Sequence, residues 1–358
     1  MYNRVMKDLW NYLKEEYGKG RPIALYGTGD GADKICARLD ADGICASAVF
    51  ASSGFVRDRY FRDMKVESFD SVMSRLNDPI VLVCFGSSRP DVIALIDEVA
   101  SAAETYAPDV PVCGGDVFDG SFYEKHKDEI DKVSELLSDN MSRTCLDNIV
   151  QARLSGDIGY LHAAECAPND IYDLVDLPDN AVFFDLGAYT GDTVKEFTEL
   201  YPSIKHVVAV EPEPRNFRKL EALAGSDDLT CRDVRTLRAL ISDVCCNSHI
   251  LTSARGRGTR EKGEGIPTKA LTIDQIVRDT GLIPDLIKYD VEGNEIKGIL
   301  GAAETIREHK PRLKIACYHK STDIFEIPKE VLKIRPDYKV YLRHLPSIPG
   351  WDTDFIFV

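Results

Sequence analysis

Residues 183–193 read FFDLGAYTGDT, in which an apolar strand ends at Asp185 and a loop with two glycines leads into a helix. Glycines allow the backbone to approach a ligand closely, and the free N–H groups at the start of the helix face that ligand. Phosphate-binding loops of dinucleotide folds read G-x-G-x-x-G, whereas this loop reads D-x-G-x-x-x-G and begins with a carboxylate. The stretch therefore predicts a parallel α/β sheet whose ligand carries a cationic amino group and no phosphate.

The next predicted strand places an acid where such sheets bind a ribose. Residues 207–210 form an apolar run that ends in Glu211, which follows Gly191 by 20 residues. In dinucleotide folds an acid about 20 residues after the glycine loop accepts hydrogen bonds from the ribose diol. An acid that ends a strand is by itself often only a solvated cap. The order and spacing of the loop and the acid together favour a nucleoside ligand.

Outward from these motifs, the chain divides into two α/β units. We predict an α/β fold with two doubly wound Rossmann-like units: a small domain over residues 1–115, a helical connector over 116–170 and a ligand-binding domain over 171–358. In the last domain the predicted strands lie near residues 181–185, 207–211, 236–241, 285–290, 312–318, 338–343 and 353–358. Helices are predicted there over residues 191–200, 214–224, 273–280, 294–308 and 323–334.

The first unit contains a second glycine turn. Its predicted elements are helices over residues 2–17 and 90–102 and strands over 23–26, 44–50 and 81–85. Gly27-x-Gly29-x-x-Ala32 follows the first strand and meets the dinucleotide fingerprint loosely. The second strand ends at Phe50 and Ala51, so no acid is present there to hold a ribose. We therefore expect no tight binding of NAD or NADP, while acceptor positioning, dimer contacts and nucleotide binding all stay open.

Composition limits the partners of the chain. Its 358 residues include 44 Lys and Arg against 59 Asp and Glu, for a formal net charge of −15. Nucleic acids and anionic membranes attract basic surfaces, so neither partner is expected. No apolar run approaches the ~20 residues of a membrane span, and the N-terminus lacks the apolar segment of a secretory signal. The ten cysteines include no C-x-x-C pair, which predicts reduced thiols in a cytoplasmic protein.

Three motifs carry a family resemblance. FFDLGAYTGDT, VVAVEPEPRNFRKL and IKYDVEGNEIKGILGA resemble the FkbM family of S-adenosylmethionine-dependent methyltransferases over roughly residues 121–358. The resemblance implies a class I methyltransferase fold, a seven-stranded sheet whose last strand runs antiparallel, and methyl transfer to a hydroxyl of a sugar or secondary metabolite. Residues 21–86 resemble Rossmann-like modules attached to glycan-modifying enzymes.

The resemblance also implies a cofactor site for S-adenosylmethionine. By motif match, Asp185, Gly187 and Gly191 line the methionine part, Glu211 holds the ribose hydroxyls, and Ser242 with Asp243 lies beside the adenine. The full expected set of cofactor-binding residues is Asp185, Gly187, Ala188, Tyr189, Gly191, Thr193, Glu211, Pro212, Ser242 and Asp243.

Candidate catalytic residues follow two later strands. Asp290 and Glu292 end one strand and should face the crevice beyond the carboxyl ends of the sheet. Methyl transfer is an in-line displacement that needs the acceptor oxygen held in place and its proton removed. His319 ends the next strand, where a general-base or acceptor-orienting role competes with a structural one. Asp290, Glu292 and His319 could together bind a divalent metal, but no spacing requires it, so no metal is predicted.

For several features a purely structural interpretation is as well supported as a functional one, or better. For Glu295, stabilisation of a helix N-terminus is preferred. Arg343 and His344 end a further strand and either bind substrate hydroxyls or an anionic group or form a solvated strand end, and the second interpretation is preferred. The segment 253–265 is glycine-rich, charged and without periodicity, which predicts a mobile loop. Its Arg255, Arg257 and Arg260 either close over an anionic acceptor or are solvated.

The leading hypothesis is an O-methyltransferase that acts on a small-molecule or glycan acceptor, and a homo-oligomer is left open. The alternatives are a nucleotide-sugar oxidoreductase or epimerase that uses the N-terminal glycine turn, and a non-catalytic scaffold that binds S-adenosylmethionine. Bound nicotinamide would identify the former alternative, and absence of turnover the latter.

Overall fold

The structure, a computed structural model, describes residues 7–56, 58–253, 259–260 and 266–358. For residues 53, 248–253, 259–260 and 266 it describes the backbone alone. The predicted helix over residues 2–17 begins at Leu9 within this range, and residues 2–6 of the prediction lie outside the described residues. Asp8 caps that helix, because its carboxylate accepts a hydrogen bond from the Asn11 N–H at 2.8 Å.

The first unit is a six-stranded sheet flanked by helices. Its elements are α1 (Leu9–Gly18), β1 (Ile23–Tyr26), α2 (Asp30–Ala41), β2 (Ala48–Phe50), β3 (Tyr60–Phe61), β4 (Met64–Glu67), α3 (Phe69–Arg75), β5 (Ile80–Val83), α4 (Pro90–Ala102) and β6 (Thr105–Tyr106). The strand order is β3-β4-β2-β1-β5-β6, and β3 alone runs antiparallel to its neighbour among these pairs. β1 and β5 are buried along their whole length, as their apolar runs predict.

A helical connector follows the first unit. It comprises α5 (Gly120–Leu136), α6 (Asn140–Ser155), α7 (Ile158–Ala164) and α8 (Asn169–Tyr172). α6 packs against the edge of the second sheet, where Ser142 accepts a hydrogen bond from the Leu342 N–H at 3.0 Å. The connector therefore buries part of the sheet that carries the site.

The second unit contains a seven-stranded sheet and a smaller four-stranded one. Its strands are β7 (Ala181–Leu186), β8 (Ile204–Val210), β9 (Asp233–Leu237), β10 (Leu240–Ile241), β11 (Cys246–Ser253), β12 (Thr259–Arg260), β13 (Ile266–Leu271), β14 (Leu286–Tyr289), β15 (Arg312–Ala316), β16 (Val340–His344) and β17 (Thr353–Phe357). Its helices are α9 (Asp192–Leu200), α10 (Pro214–Ala224), α11 (Ile273–Thr280), α12 (Glu295–Leu300), α13 (Ala303–His309) and α14 (Asp323–Ile334).

The large sheet has the order β16-β17-β15-β14-β7-β8-β9. The last strand, β17, lies between β15 and β16 and is antiparallel to both, whereas the other pairs are parallel. This arrangement confirms the predicted doubly wound α/β class and the seven-stranded sheet with a reversed last strand. Because β7 and β14 are central, the loops after them open at the same edge.

Three local predictions need correction. The predicted strand at 236–241 is two strands, β9 in the large sheet and β10 in the small one, separated by Arg238 and Ala239. The predicted helix over 294–308 is interrupted between α12 and α13 at Gly301. Within the segment 253–265, which is predicted as a loop, residues 259–260 form β12 and pair with the end of β11. Arg255 and Arg257 lie outside the described residues, and for Arg260 only the backbone is described.

Arg343 and His344, at the end of β16, are not a solvated strand end as predicted. Arg343 is 3% exposed and His344 is wholly buried. The Arg343 guanidinium pairs with Asp139 of the connector at 2.6 Å, while the His344 ring lies 2.9 Å from the Thr353 hydroxyl. The connector helix α6 covers this edge, which the sequence pattern of the strand does not reveal.

The two units share one apolar core. A single cluster of buried residues contains Phe50 of the first sheet, Ile149 of the connector and Phe355 of the second sheet. A backbone bridge joins Ser87 to Ile348, and the Trp351 ring lies so close to Gly86 that a Cβ there would be 2.2 Å from it. Among the described residues, no helix has the length and apolarity that crossing a bilayer requires.

Candidate functional site

The site lies where the carboxyl ends of β7, β8, β14 and β15 open at one edge of the large sheet. The glycine loop 187–191 follows β7, and Glu211 follows β8. The loop after β14 carries Asp290 and Glu292, and the loop after β15 carries His319. Parallel strands thus bring together four segments that are distant in sequence, as the crevice rule for α/β sheets predicts.

Packing fixes the shape of the glycine loop. Gly187 has φ +83°, and a Cβ there would lie 1.8 Å from the Asp290 carbonyl oxygen. Gly191 has φ +92° and faces Leu223 of α10, with 2.5 Å between a built Cβ and that side chain. Both positions require glycine for the protein's own packing. Tyr189 between them has φ +47° and is 55% exposed, so its ring faces the solvent side of the loop.

Glu211 is held by the backbone of both neighbouring loops. Its carboxylate is 6% exposed and accepts hydrogen bonds from the Tyr189 N–H at 3.0 Å and the Glu213 N–H at 2.8 Å. Burial raises the pKa of Glu211 to about 7, although these two N–H groups act in the opposite direction. Glu211, the residue predicted to bind the ribose, therefore presents a buried carboxylate of fixed orientation beside the glycine loop.

Asp185 has a partner that sequence reasoning missed. It lies opposite Lys288 in the β7–β14 register, and the Lys288 Nζ is 3.2 Å from Asp185 Oδ1 and 3.6 Å from Asp290 Oδ2. Burial raises the pKa of Asp185 and the Lys288 charge opposes this rise. Burial lowers the pKa of Lys288, but Asp185 and Asp290 hold it above its ordinary value. The signal was a lysine inside the apolar run LIKY, which needs a buried counter-ion.

The structure brings together the three predicted catalytic residues. Asp290 and Glu292 are about one third exposed, and His319 is 1% exposed behind them. The His319 Nε2 lies 3.4 Å from Asp290 Oδ1 and 3.6 Å from Glu292 Oε2. The Tyr318 hydroxyl also donates to Asp290, at 3.2 Å. The two carboxylates reach the crevice, whereas the imidazole lies beneath them.

Glu295 and Asp323 complete this layer. Glu295 was interpreted as a charge at a helix start, but its buried Oε1 accepts from the Val291 and Gly293 N–H groups and lies 3.0 Å from His319 Nδ1. Asp323, which sequence reasoning did not select, is 1% exposed and accepts from the Lys320 N–H at 2.7 Å. Burial would lower the pKa of His319, but Glu295, Asp290 and Glu292 raise it to about 10.

The remaining predicted cofactor residues differ in their exposure. Ala188 is buried, while Thr193 and Pro212 are partly exposed. Ser242 follows β10 and is buried, and its hydroxyl donates to the exposed Asp243 at 3.0 Å. Contact of each of these residues with the cofactor stays a prediction.

The segment 107–119, between β6 and α5, forms one border of the site. The Cys113 N–H donates to the His319 carbonyl at 3.2 Å, and its Sγ lies 3.8 Å from Glu292 Oε2. Ser321 donates to the Asp116 carbonyl at 2.6 Å. The first unit is therefore in direct contact with the residues around His319.

The sheet order, the reversed last strand, the glycine loop and the acid after the second strand define a class I methyltransferase fold. Residues 185–339 match the profile of the methyltransferase FkbM domain. This part of the chain is therefore similar to the methyltransferases of the FkbM family.

One of the solved structures compared with the chain agrees with this fold. A methyltransferase FkbM from Methylobacillus flagellatus KT is 20% identical, with 99% of this chain and 95% of that chain covered and a TM-score of 0.72. At this identity the likeness shows a common fold, which includes the first unit. A precorrin-6y C5,15-methyltransferase from Geobacter metallireducens GS-15 is 14% identical over 53% of this chain and 84% of that chain, with a TM-score of 0.35. None of the curated proteins compared with the chain matches it.

Proposed function

We propose that the protein transfers a methyl group from S-adenosylmethionine to a hydroxyl group of a neutral small-molecule or glycan acceptor. The observation that carries this proposal is the pair of half-buried carboxylates, Asp290 and Glu292, which reach the crevice beside the glycine loop and Glu211. An acceptor hydroxyl must be oriented and must lose its proton, and carboxylates can do both.

The residues at this edge fit the cofactor. The Glu211 carboxylate is fixed so that each oxygen already accepts one backbone N–H, and each has a further lone pair for a ribose hydroxyl. Asp290 and Glu292 offer negative charge to a cation. When bound, S-adenosylmethionine supplies an electrophilic methyl group on a sulfonium.

Asp290 and Glu292 are the groups placed to act on the acceptor. An acceptor hydroxyl held in this crevice would lose its proton to one of these two carboxylates as it takes the methyl group, with S-adenosylhomocysteine as the leaving product. His319 is too deeply buried to touch an acceptor, and its Nε2 faces both carboxylates, so we assign it a positioning role. The same acidic lining disfavours an acceptor with phosphate or carboxylate groups, because like charges repel in a crevice of low dielectric.

An observation in the first unit disfavours the oxidoreductase alternative. At the end of β2, where a dinucleotide site places its acid, the Phe50 ring stacks on Tyr26 with 4.7 Å between centroids. We therefore propose that this unit borders the acceptor site through the segment 107–119. Titration of the full chain with NAD and NADP should give no saturable binding below about 10 µM, which corresponds to ~7 kcal/mol.

The test combines calorimetry with turnover. Wild-type protein should bind S-adenosylmethionine and form S-adenosylhomocysteine when mixed with neutral glycans and polyols. Asp290→Asn, Glu292→Gln and His319→Gln should lower turnover by ~10²-fold while cofactor affinity stays within a few-fold. Glu308→Gln, an exposed carboxylate outside the site, is the matched control. Cofactor binding without turnover of any acceptor would favour the scaffold alternative, and no binding would refute the proposal.

A further inference from the structure

Glu295, His319 and Asp323 form a cluster, here called the buried cluster, on the inner side of Asp290 and Glu292. Each of the three side chains is 1% exposed. They come from three places in the fold, namely the start of α12, the loop after β15 and the start of α14. One ligand atom from each residue lies within 4.8 Å of the other two. Ligands about 2.1 Å from a tetrahedral ion lie roughly 3.4 Å apart, so small side-chain shifts would close the cluster around one ion.

A second observation points to a ligand in the buried cluster. Glu295 Oε2 and His319 Nδ1 are both buried and without a hydrogen-bond partner. The Nδ1 lies 3.0 Å from Glu295 Oε1 in an ion-pair contact, and that oxygen already accepts two backbone N–H groups. Buried polar atoms without hydrogen-bond partners cost free energy, and a metal ion bound to these two atoms would offset that cost.

The other face of the imidazole has the arrangement expected of a metal ligand. A histidine that binds a metal through one ring nitrogen almost always donates its other N–H to a carboxylate or carbonyl. Here Nε2 faces Asp290 Oδ1 at 3.4 Å and Glu292 Oε2 at 3.6 Å, while Nδ1 faces the buried cluster. Two carboxylates and an imidazole also form a donor set that suits borderline divalent ions.

We propose that Glu295, His319 and Asp323 bind a divalent first-row transition-metal ion, with Zn²⁺ as the best fit to one nitrogen and two oxygen ligands. The ion lies beneath the crevice and fixes the imidazole, so that the Nε2–H is aimed at Asp290 and Glu292. This site replaces the sequence expectation of no metal. It does not depend on methyl transfer, because it is defined by the side chains alone.

The test measures metal content and affinity in the full-length protein. After chelation, the wild type is dialysed separately against Zn²⁺, Mn²⁺ and Mg²⁺, and bound metal is measured by mass spectrometry. We expect about one Zn²⁺ per chain, weaker retention of Mn²⁺ and no retention of Mg²⁺. Co²⁺ should give the visible absorption bands of a four-coordinate site with nitrogen and oxygen ligands.

The variants Asp323→Asn and His319→Gln should lower metal affinity by at least about tenfold. Glu330→Gln, which removes an acid on the same helix α14 that pairs with Lys333, should bind as the wild type does. Circular dichroism identifies variants that fail to fold. Wild-type protein that retains no more Zn²⁺ than His319→Gln, or shows no Co²⁺ bands, would overturn the proposal, whether or not the protein methylates an acceptor.

Discussion

Glu211 shows how one side chain joins two loops. Its two oxygens accept backbone N–H groups from the loops that follow β7 and β8. We expect Glu211→Ala to weaken S-adenosylmethionine binding by about 1.5–3 kcal/mol, or roughly tenfold to a hundredfold. Calorimetry measures this change, and Glu221→Ala, an exposed acid on the following helix, is the control. Unchanged affinity in Glu211→Ala would end the ribose assignment.

The raised pKa of Glu211 predicts a pH dependence of cofactor binding. Below its pKa of about 7 the group is protonated and offers fewer acceptor lone pairs to the ribose. Affinity should therefore fall as the pH is lowered from 8 to 6, by up to about tenfold, because the ionised fraction falls by that factor. Glu211→Gln should show weak binding that does not change over the same range. If the affinity of the wild type and of Glu211→Gln changed equally with pH, the pH dependence could not be assigned to Glu211.

For individual site residues, the sequence predicts those that directly follow a strand. It does not predict those whose partner lies on a neighbouring strand or helix. Glu211, Asp290 and His319 are identifiable because strand ends are marked by the change from apolar to polar residues. Lys288 and Asp323 are not, because their partners depend on the register between strands and on how helices return to the sheet. Neither the strand register nor the packing of helices on the sheet can be predicted from local hydrophobic periodicity.

Gly187 illustrates a constraint between elements. A side chain there would meet the Asp290 carbonyl at 1.8 Å and would also have to adopt φ +83°. We expect Gly187→Ala to lower the free energy of unfolding by more than about 3 kcal/mol, since the loops after β7 and β14 must separate. Gly281→Ala is the matched control, because its φ is +69° with nothing within 4 Å, and it should cost about 1–2 kcal/mol. If urea denaturation gave the same loss of unfolding free energy for both variants, the contact between Gly187 and the Asp290 carbonyl would not constrain this position.

The elements that sequence analysis predicted well are the buried apolar strands and a helix that begins at a proline. β7, β14 and α4 are examples, since their boundaries are set by burial on both faces or by Pro90 at a helix start. The break between α12 and α13 was missed because apolar spacing continues through it. Its cause is tertiary: a Cβ at Gly301 would lie 2.2 Å from the Ser242 carbonyl oxygen, so this turn packs directly on the strand end after β10.

The ion pair between Asp139 and Arg343 links the connector to the large sheet. The Asp139 carboxylate binds the buried Arg343 guanidinium and caps α6 by accepting the Ser142 N–H at 2.7 Å. Asp139→Asn retains a capping side chain but leaves Arg343 without its counter-ion. Because Asp139 is itself about one third exposed, we expect a loss near 2 kcal/mol at pH 7, measured by urea denaturation.

The sign of the pH effect follows from the Asp139 pKa. Arg343 and the hydrogen bonds of Ser142 hold this pKa at about 2, against burial, whereas the ordinary value is 3.8. The stabilisation is therefore present above pH 3.8 and is lost as the pH falls through 2. The wild type and Asp139→Asn should converge in stability between these two values. A difference that stays constant down to pH 2 would show that the pair does not titrate in this way.

Trp351 lies at the contact between the two units, where its fluorescence can report on the site. The chain has two tryptophans, and Trp10 is buried in the core of the first unit. Trp351 lies on Gly86 and stacks near Tyr318, whose hydroxyl donates to Asp290. In Trp10→Phe protein, fluorescence thus originates from one indole that touches both units and adjoins the crevice. Its emission should shift when a ligand reaches Asp290, so occupancy becomes visible in an unlabelled sample.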